Sequence, residues 1–153
     1  MSEQPYLLPD ALSVLRRGTY ILILYLRDSQ RIQVGKLGRF DFDAGYYAYV
    51  GSAQGPGGLG ARLRHHLRAN NRPHWHIDYL RQIAGIESIW FAESNAPLEH
   101  HSAAWLGDLP GAAIPALRFG ASDCTCASHL FFFRELPPVD EFRARGFDHR
   151  IMA

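Results

Sequence analysis

A chain of 153 residues with 47% hydrophobic and 20% charged residues has the composition of one compact domain, which at this length buries roughly 70% of its unfolded surface. Disordered, collagen-like and coiled-coil architectures are excluded, and the longest apolar run, Tyr20 to Leu26, falls far short of the roughly 20 residues a bilayer span needs. The N-terminus carries acid rather than the basic region of a leader, so the expected setting is the cytoplasm, with no membrane partner. The net charge of +1 hides an asymmetry. Fifteen of the sixteen basic side chains are Arg, and five of them lie between Ala61 and Arg81 against the single acid Asp78. The following stretch, Gln82 to Leu117, holds four acids and no Lys or Arg. Guanidinium groups bind phosphate bidentately, so the basic segment suits a polyanion; two solvated faces of opposite sign are the plainer alternative.

Met1 to Arg17 reads as an arm with a short amphipathic stretch, Ala11 to Leu15. Gly18 opens a strand, because Thr19 to Leu26 is rich in Ile, Leu and Tyr and too short for a good helix. Asp28-Ser29-Gln30 is a turn, and Arg31 to Val34 is expected to pair back as a hairpin. Lys36 to Ala44, with alternating Phe40 and Phe42, gives a further short strand, and Gly45 to Gly51 an aromatic one, so the opening reads as a β-meander. Ser52 to Gly58 is an irregular glycine loop. From Leu59 a helix repeats Leu59, Leu63 and Leu67, which places Arg62 and His66 one turn apart along the edge of its apolar stripe. A second helix is expected around Trp75 to Ala84, a strand over Glu87 to Ala92 and a helix over Leu98 to Leu106. Leu109 to Ala121 is a Gly, Pro and Ala-rich connection. His129 to Arg134 is a last strand, whose three consecutive Phe suit an interior position or a dimer contact, and Pro137-Pro138 stops it before a polar tail. The expected plan is an arm over residues 1–17, one domain over 18–135 and a tail over 136–153. Its fold class is α/β in the α+β sense: a small central, mostly antiparallel sheet flanked by helices.

The chemistry-bearing residues form an ordered set. Gly18-Thr19-Tyr20 opens the first strand, Tyr49-Val50-Gly51 closes a later one, a glycine loop follows, Arg62 and His66 share a helix edge, and Glu99 sits on a later helix. This set resembles the GIY-YIG nuclease superfamily. The stretches Ala44 to Ala53, His74 to Leu80 and Ser122 to Leu130 make the chain similar to its Uri-type branch over about Gly18 to Phe133. The resemblance implies a metal-dependent endonuclease that hydrolyses phosphodiester bonds of nucleic acid, DNA ahead of RNA, with Mg²⁺ or Mn²⁺ as cofactor. By the same resemblance Tyr20 is the general base or its orienting partner, Tyr49 a second phenol that positions water, Arg62 the phosphate clamp and Glu99 the sole metal ligand, with His66 as proton relay. Ser52, Arg64, Arg68 and Arg72 would contact the nucleic acid, and a partner protein could supply targeting. The residue types suit the reaction: the attacking water must lose a proton, the phosphate's added charge must be offset, and the leaving oxygen needs a cation.

Three positions depart from the family pattern. Thr19 replaces the usual Ile, Ser52 stands where many family nucleases place Lys, and the two tyrosines lie 29 residues apart, so an extra pair of short strands must fit between Arg27 and Gly45. Each assignment also has a plainer reading. Tyr20 and Tyr49 could be ordinary sheet aromatics, Glu99 a helix-surface acid with Glu93 as its competitor, and the whole chain a nucleic-acid-binding module without turnover. Separately, Cys124, Cys126 and His129, with His74 or His76 as a fourth ligand, suit zinc by chemistry, although an extended C-x-C pair sends its side chains to opposite faces. In the alternative the cysteines pack as small apolar residues, while Asp123, Ser128 and His129 satisfy backbone groups, and Trp75-His76-Ile77-Asp78 is a buried polar anchor.

Overall fold

The computed structural model describes residues 16–68, 72–121 and 124–151. The amphipathic stretch Ala11 to Leu15, and Asp123, lie outside them. Seven strands and four helices follow one another in the described chain: β1 (Gly18–Leu26), β2 (Gln30–Val34), β3 (Gly38–Phe42), β4 (Gly45–Ala53), α1 (Gly58–Leu67), α2 (His76–Arg81), β5 (Gly85–Glu93), α3 (Glu99–Gly107), β6 (Leu130–Phe133), α4 (Asp140–Ala144) and β7 (Asp148–Ile151). Five strands form one sheet in the order β6-β4-β1-β5-β7, with every neighbouring pair antiparallel, and β2 pairs with β3 in a separate two-stranded sheet. The fold is α+β, with helices on both faces of an antiparallel sheet. No described helix is long and apolar enough to cross a membrane.

β1 is the central strand, which explains its continuous apolar run: both of its edges are paired and both of its faces are covered. Tyr20, Leu22, Leu24 and Leu26 point into a core shared with Leu59 and Leu63 of α1, Ile77 and Leu80 of α2, and Val34 and Phe42 of the small sheet. Ile21 and Ile23 point the other way, into a second core with Trp105 and Leu106 of α3, and Phe142 of α4. Burying such side chains contributes roughly 1.5–3 kcal/mol each before the entropy of ordering them is counted.

The opening is not a meander. β4, rather than β2, lies beside β1, and the β2–β3 hairpin is an excursion between two strands that neighbour each other in the main sheet. The physical reason lies in β2 itself: Arg31 and Gln33 are exposed, and a place inside the main sheet would bury them without partners. The polar tail expected over 136–153 instead carries α4 and β7. Phe142 and Phe147 supply its anchorage, Phe142 meeting the rings of Trp90 and Trp105 and Phe147 that of Trp105, while β7 pairs with the outer edge of β5. β6 is neither an interior strand nor an open edge. Phe131 and Phe133 enter the second core, Phe132 packs on the first, and Ala113 bridges to Phe132 along the strand's outer side.

Candidate active site

The site lies where the start of β1 and the end of β4 meet α1 and the start of α3. In the β1–β4 register Tyr20 faces Gly51 and Tyr49 faces Leu22, so the two phenols share one face of the sheet, with ring centres 6.4 Å apart. Tyr49, Ser52, Gln54, Gly55, Arg62, Trp75, Glu99 and Gly120 line an open cleft of about 340 Å³. The structure therefore brings Tyr49, Ser52, Arg62 and Glu99 to a single surface. Tyr20 lies one layer below it, 1% exposed, with its hydroxyl 2.7 Å from Nε2 of the buried His66.

Local sequence explains each placement. The glycine loop lets the chain turn from β4 into α1 with Gly57 and Gly58 both at positive φ, and the helix start is fixed where the Leu59 N–H donates to the Arg16 carbonyl. Arg62 and His66 then sit one helical turn apart, Arg62 toward the cleft and His66 inward. Gly51 has a separate purpose. A Cβ there would collide with Cζ and Oη of Tyr20 and lie 2.8 Å from its Cε1, so the phenol reaches His66 only because residue 51 has no side chain. Gly51→Ala is expected to push Tyr20 off His66 and destabilise the protein by about 1–3 kcal/mol, read as a lower denaturant midpoint at unchanged m-value.

Burial sets the protonation states. It raises Tyr20 well above the usual phenol value, with Tyr49 adding to the effect and Arg62 opposing it. Burial and then Glu99 raise Tyr49, again against Arg62. His66 falls to about 3, chiefly through burial and then through His65, with Arg62 and Arg81 acting the same way and Asp78 opposing. At neutral pH the inner pair is thus a neutral phenol on a neutral imidazole, and no standing tyrosinate exists. Nδ1 of His66 is buried with no hydrogen-bond partner among the described residues. The unfolded chain protonates His66 near 6.5 and the native protein only near 3, so acidification between those values favours unfolding, by up to about 1.4 kcal/mol per pH unit. His76, lowered by its own burial, adds in the same direction. Unfolding at pH 7.5 and pH 5 should show this loss in the wild type and a shallower one in His66→Gln; equal slopes would mean that His66 is not held neutral.

A supporting network lies behind Arg62. Its guanidinium sits 4.5 Å over the Trp75 ring, Trp75 meets His65 edge-on at 4.6 Å, and His65 Nε2 lies 3.0 Å from Oδ1 of Asp78. Asp78 Oδ2 also accepts the backbone N–H groups of His74 and Trp75, at 2.8 and 2.9 Å. Burial alone would raise Asp78, but these bonds outweigh it and hold the carboxyl below its usual range. Trp75 to Asp78 is thus a polar anchor whose indole also forms a cleft wall. Trp75 is the site residue that sequence reasoning missed, and its signal was the unusual Trp among histidines at a helix start.

The remaining candidates separate. Glu99, in the first turn of α3, is 21% exposed at the cleft, whereas its competitor Glu93 lies outside the cleft and accepts the Arg16 N–H at 2.8 Å. Arg64 is about 200° round α1 from Arg62, and Arg68 and Arg72 are exposed beyond the helix end, so none of the three lines the cleft. Arg81 is directed at the carbonyls of His66 and Ala84.

Glu99 Oε2 lies 2.9 Å from Nδ1 of His129, although the ring N–H is not aimed well enough for a hydrogen bond. His129 is also the meeting point of the cysteines. Its Nε2 is 3.5 Å from Cys124 Sγ, and His100, Cys124, Cys126 and His129 bring ligand atoms within 4.8 Å of one another. The expectation that a C-x-C pair diverges does not hold, because residues 124–129 bend rather than extend and the Cys126 N–H donates back to Cys124 Sγ at 3.4 Å. Neither His74 nor His76 joins this group; His76 Nδ1 accepts the Gly120 N–H at 2.8 Å. Ser128 Oγ satisfies both the N–H and the carbonyl of Leu130.

No curated protein and no solved structure matches the chain. A family model described as Domain of unknown function DUF123 matches residues 19–150, from the first strand of the sheet through most of the last. The chain belongs to that family.

Proposed function

We propose that the protein is a GIY-YIG-type endonuclease of the Uri branch, hydrolysing phosphodiester bonds of DNA in preference to RNA. The observation that carries this reading is the cleft that holds Tyr49, Arg62 and Glu99 together over the buried Tyr20–His66 pair. A phosphodiester seated there meets the planar Arg62 fork, which Trp75 keeps oriented from below and which offsets the charge gained at phosphorus. Tyr49 at the wall orients the attacking water. In this reading Tyr20 is the general base and His66 Nε2 the relay that takes its proton; burial works against the resulting imidazolium and Asp78 favours it, so the pair passes the proton on rather than storing it.

Glu99 fits a hard divalent ion. It is a cleft-lining carboxylate whose Oε2 faces His129, and Mg²⁺ characteristically takes one or two carboxylates, waters and substrate phosphate. Mg²⁺ or Mn²⁺ bound through Glu99 would supply charge to the leaving oxygen. Arg64, Arg68 and Arg72 would hold flanking phosphates outside the cleft, and Ser52 would donate to phosphate where relatives in this superfamily commonly place Lys.

The test is incubation with labelled single-stranded, duplex, nicked and branched DNA, with and without Mg²⁺ or Mn²⁺. Metal-dependent products on any of them are expected; their absence on all of them would sink the reading. Two observations favour a second reading, a nucleic-acid-binding module without turnover: burial keeps both phenols protonated, and among the described residues no Lys lines the cleft. Such a module would bind with a steep loss of affinity in salt and give no product.

A further inference from the structure

We propose that Cys124, Cys126, His129 and His100 form a zinc site beside the cleft, closed by four protein ligands and structural in character. Two groups of described side chains gather metal-ligating atoms. One, His65, His66 and Asp78, is already engaged: Asp78 with His65 and two backbone N–H groups, His66 with Tyr20. The other is composed of two thiols and two imidazoles, the donor set that zinc takes in tetrahedral structural sites.

The distances suit the ion. Zinc bonds of about 2.3 Å to sulfur and 2.0–2.1 Å to nitrogen put neighbouring ligand atoms about 3.6 Å apart in a tetrahedron. Cys124 Sγ and His129 Nε2 are 3.5 Å apart, and all four ligand atoms lie within 4.8 Å of one another. Two thiolates would balance the charge of the ion.

The surroundings are those of a built site. The Cys126 N–H donates to Cys124 Sγ at 3.4 Å, which folds the segment back and keeps the two sulfurs on one side of it. His129 is fixed on both sides of its backbone, its N–H on the Phe119 carbonyl at 2.8 Å and its carbonyl receiving the Val50 N–H at 3.0 Å. Arg118 draws the segment together, its backbone N–H reaching the Ala127 carbonyl and its guanidinium the Cys126 carbonyl at 2.8 Å. Most telling is the far side of His129. With Nε2 toward the cysteines, Nδ1 lies 2.9 Å from the Glu99 carboxylate, and a small turn of the ring on binding would make the carboxylate–histidine hydrogen bond that commonly orients a metal-bound imidazole. Binding would close the arrangement from both ends, tying residues 124–129 to the first turn of α3 and fixing Glu99.

The full chain, without a histidine tag, is stripped with a chelator under reducing conditions and titrated with Co²⁺ and then Zn²⁺. The expected result is saturation at one equivalent, with thiolate-to-cobalt charge-transfer bands and the intense visible bands of tetrahedral cobalt, all bleached by zinc. Cys124→Ser combined with Cys126→Ser should remove the charge-transfer bands, and Glu99→Gln should keep them while weakening affinity about 10–100-fold. Wild-type protein with no charge-transfer bands would overturn the proposal, as would bands that persist in the double serine variant. Should the serine variant not fold, the wild-type titration decides alone. These readouts are independent of cleavage, so a protein that binds cobalt here and cuts nothing sinks the nuclease reading and leaves this one standing.

Discussion

Glu99→Ala is expected to lose cleavage by at least about 10³-fold on every substrate that the wild type cuts, with its fold intact. Removing a single group that offsets charge at a reacting centre already costs about 10²–10³-fold, and here the lost group would also be the anchor of the cation. The structural cost is small. Glu99 lies in the first turn of α3, where a carboxylate contributes about 0.3–1 kcal/mol against the helix dipole. Glu93→Ala is the matched control, because that acid meets the Arg16 backbone away from the cleft and its variant should cut like the wild type. Arg62→Ala should fall by about 10²-fold, with little recovery in Arg62→Lys, since an ammonium does not fork onto phosphate and lacks the delocalised cation that sits 4.5 Å over the Trp75 ring. Rates from gel-resolved products decide the matter, with cobalt spectra of each variant showing whether the cysteine segment is undisturbed. Normal cutting by Glu99→Ala would remove Glu99 from the site.

Asp78→Ala is expected to be the most damaging single polar substitution for stability, at about 2–5 kcal/mol. Its carboxylate accepts two half-buried backbone N–H groups and faces His65, and a donor that loses its partner away from water costs about 1–3 kcal/mol. For a domain of this size that is a fall in Tm of roughly 5–15 °C. Asp78→Asn keeps one acceptor oxygen and should lose about half as much. Cleavage should fall in both variants beyond what unfolding explains, because His65 and Trp75 hold the Arg62 guanidinium in place through this carboxylate. A Tm within 2 °C of the wild type for Asp78→Ala, measured by calorimetry, would refute the anchor.

What could be read from the sequence follows physical locality. β1 and β4 were legible because apolar and aromatic residues run without interruption and glycines bound them, and α1 because its leucines recur every four residues. The placing of Arg62 and His66 followed from that helix, since spacing along a helix is set by its own geometry. Pairing was not legible. Whether β2 or β4 lies beside β1 depends on which strand can tolerate burial on both faces, a property of the assembled sheet. The end of the chain hid α4 and β7 because two Phe side chains, Phe142 and Phe147, carry its anchorage within a charged stretch. The cysteines were misjudged for a related reason: the opposite-face rule holds for extended backbone, and residues 124–129 bend. Glu99 and Glu93 could not be ranked from spacing alone, because only the docking of α3 on the sheet decides which carboxylate reaches the cleft.

The cleft draws Arg62 and Trp75 from helices packed on one face of the sheet, and Glu99 from a helix packed on the other. A site shared in this way behaves as a coincidence gate. It exists only while both layers are seated, and a sub-ångström slide of either helix layer changes the separation of guanidinium and carboxylate without breaking a contact inside that layer. Any cleavage performed at this site should therefore be lost ahead of secondary structure on mild heating.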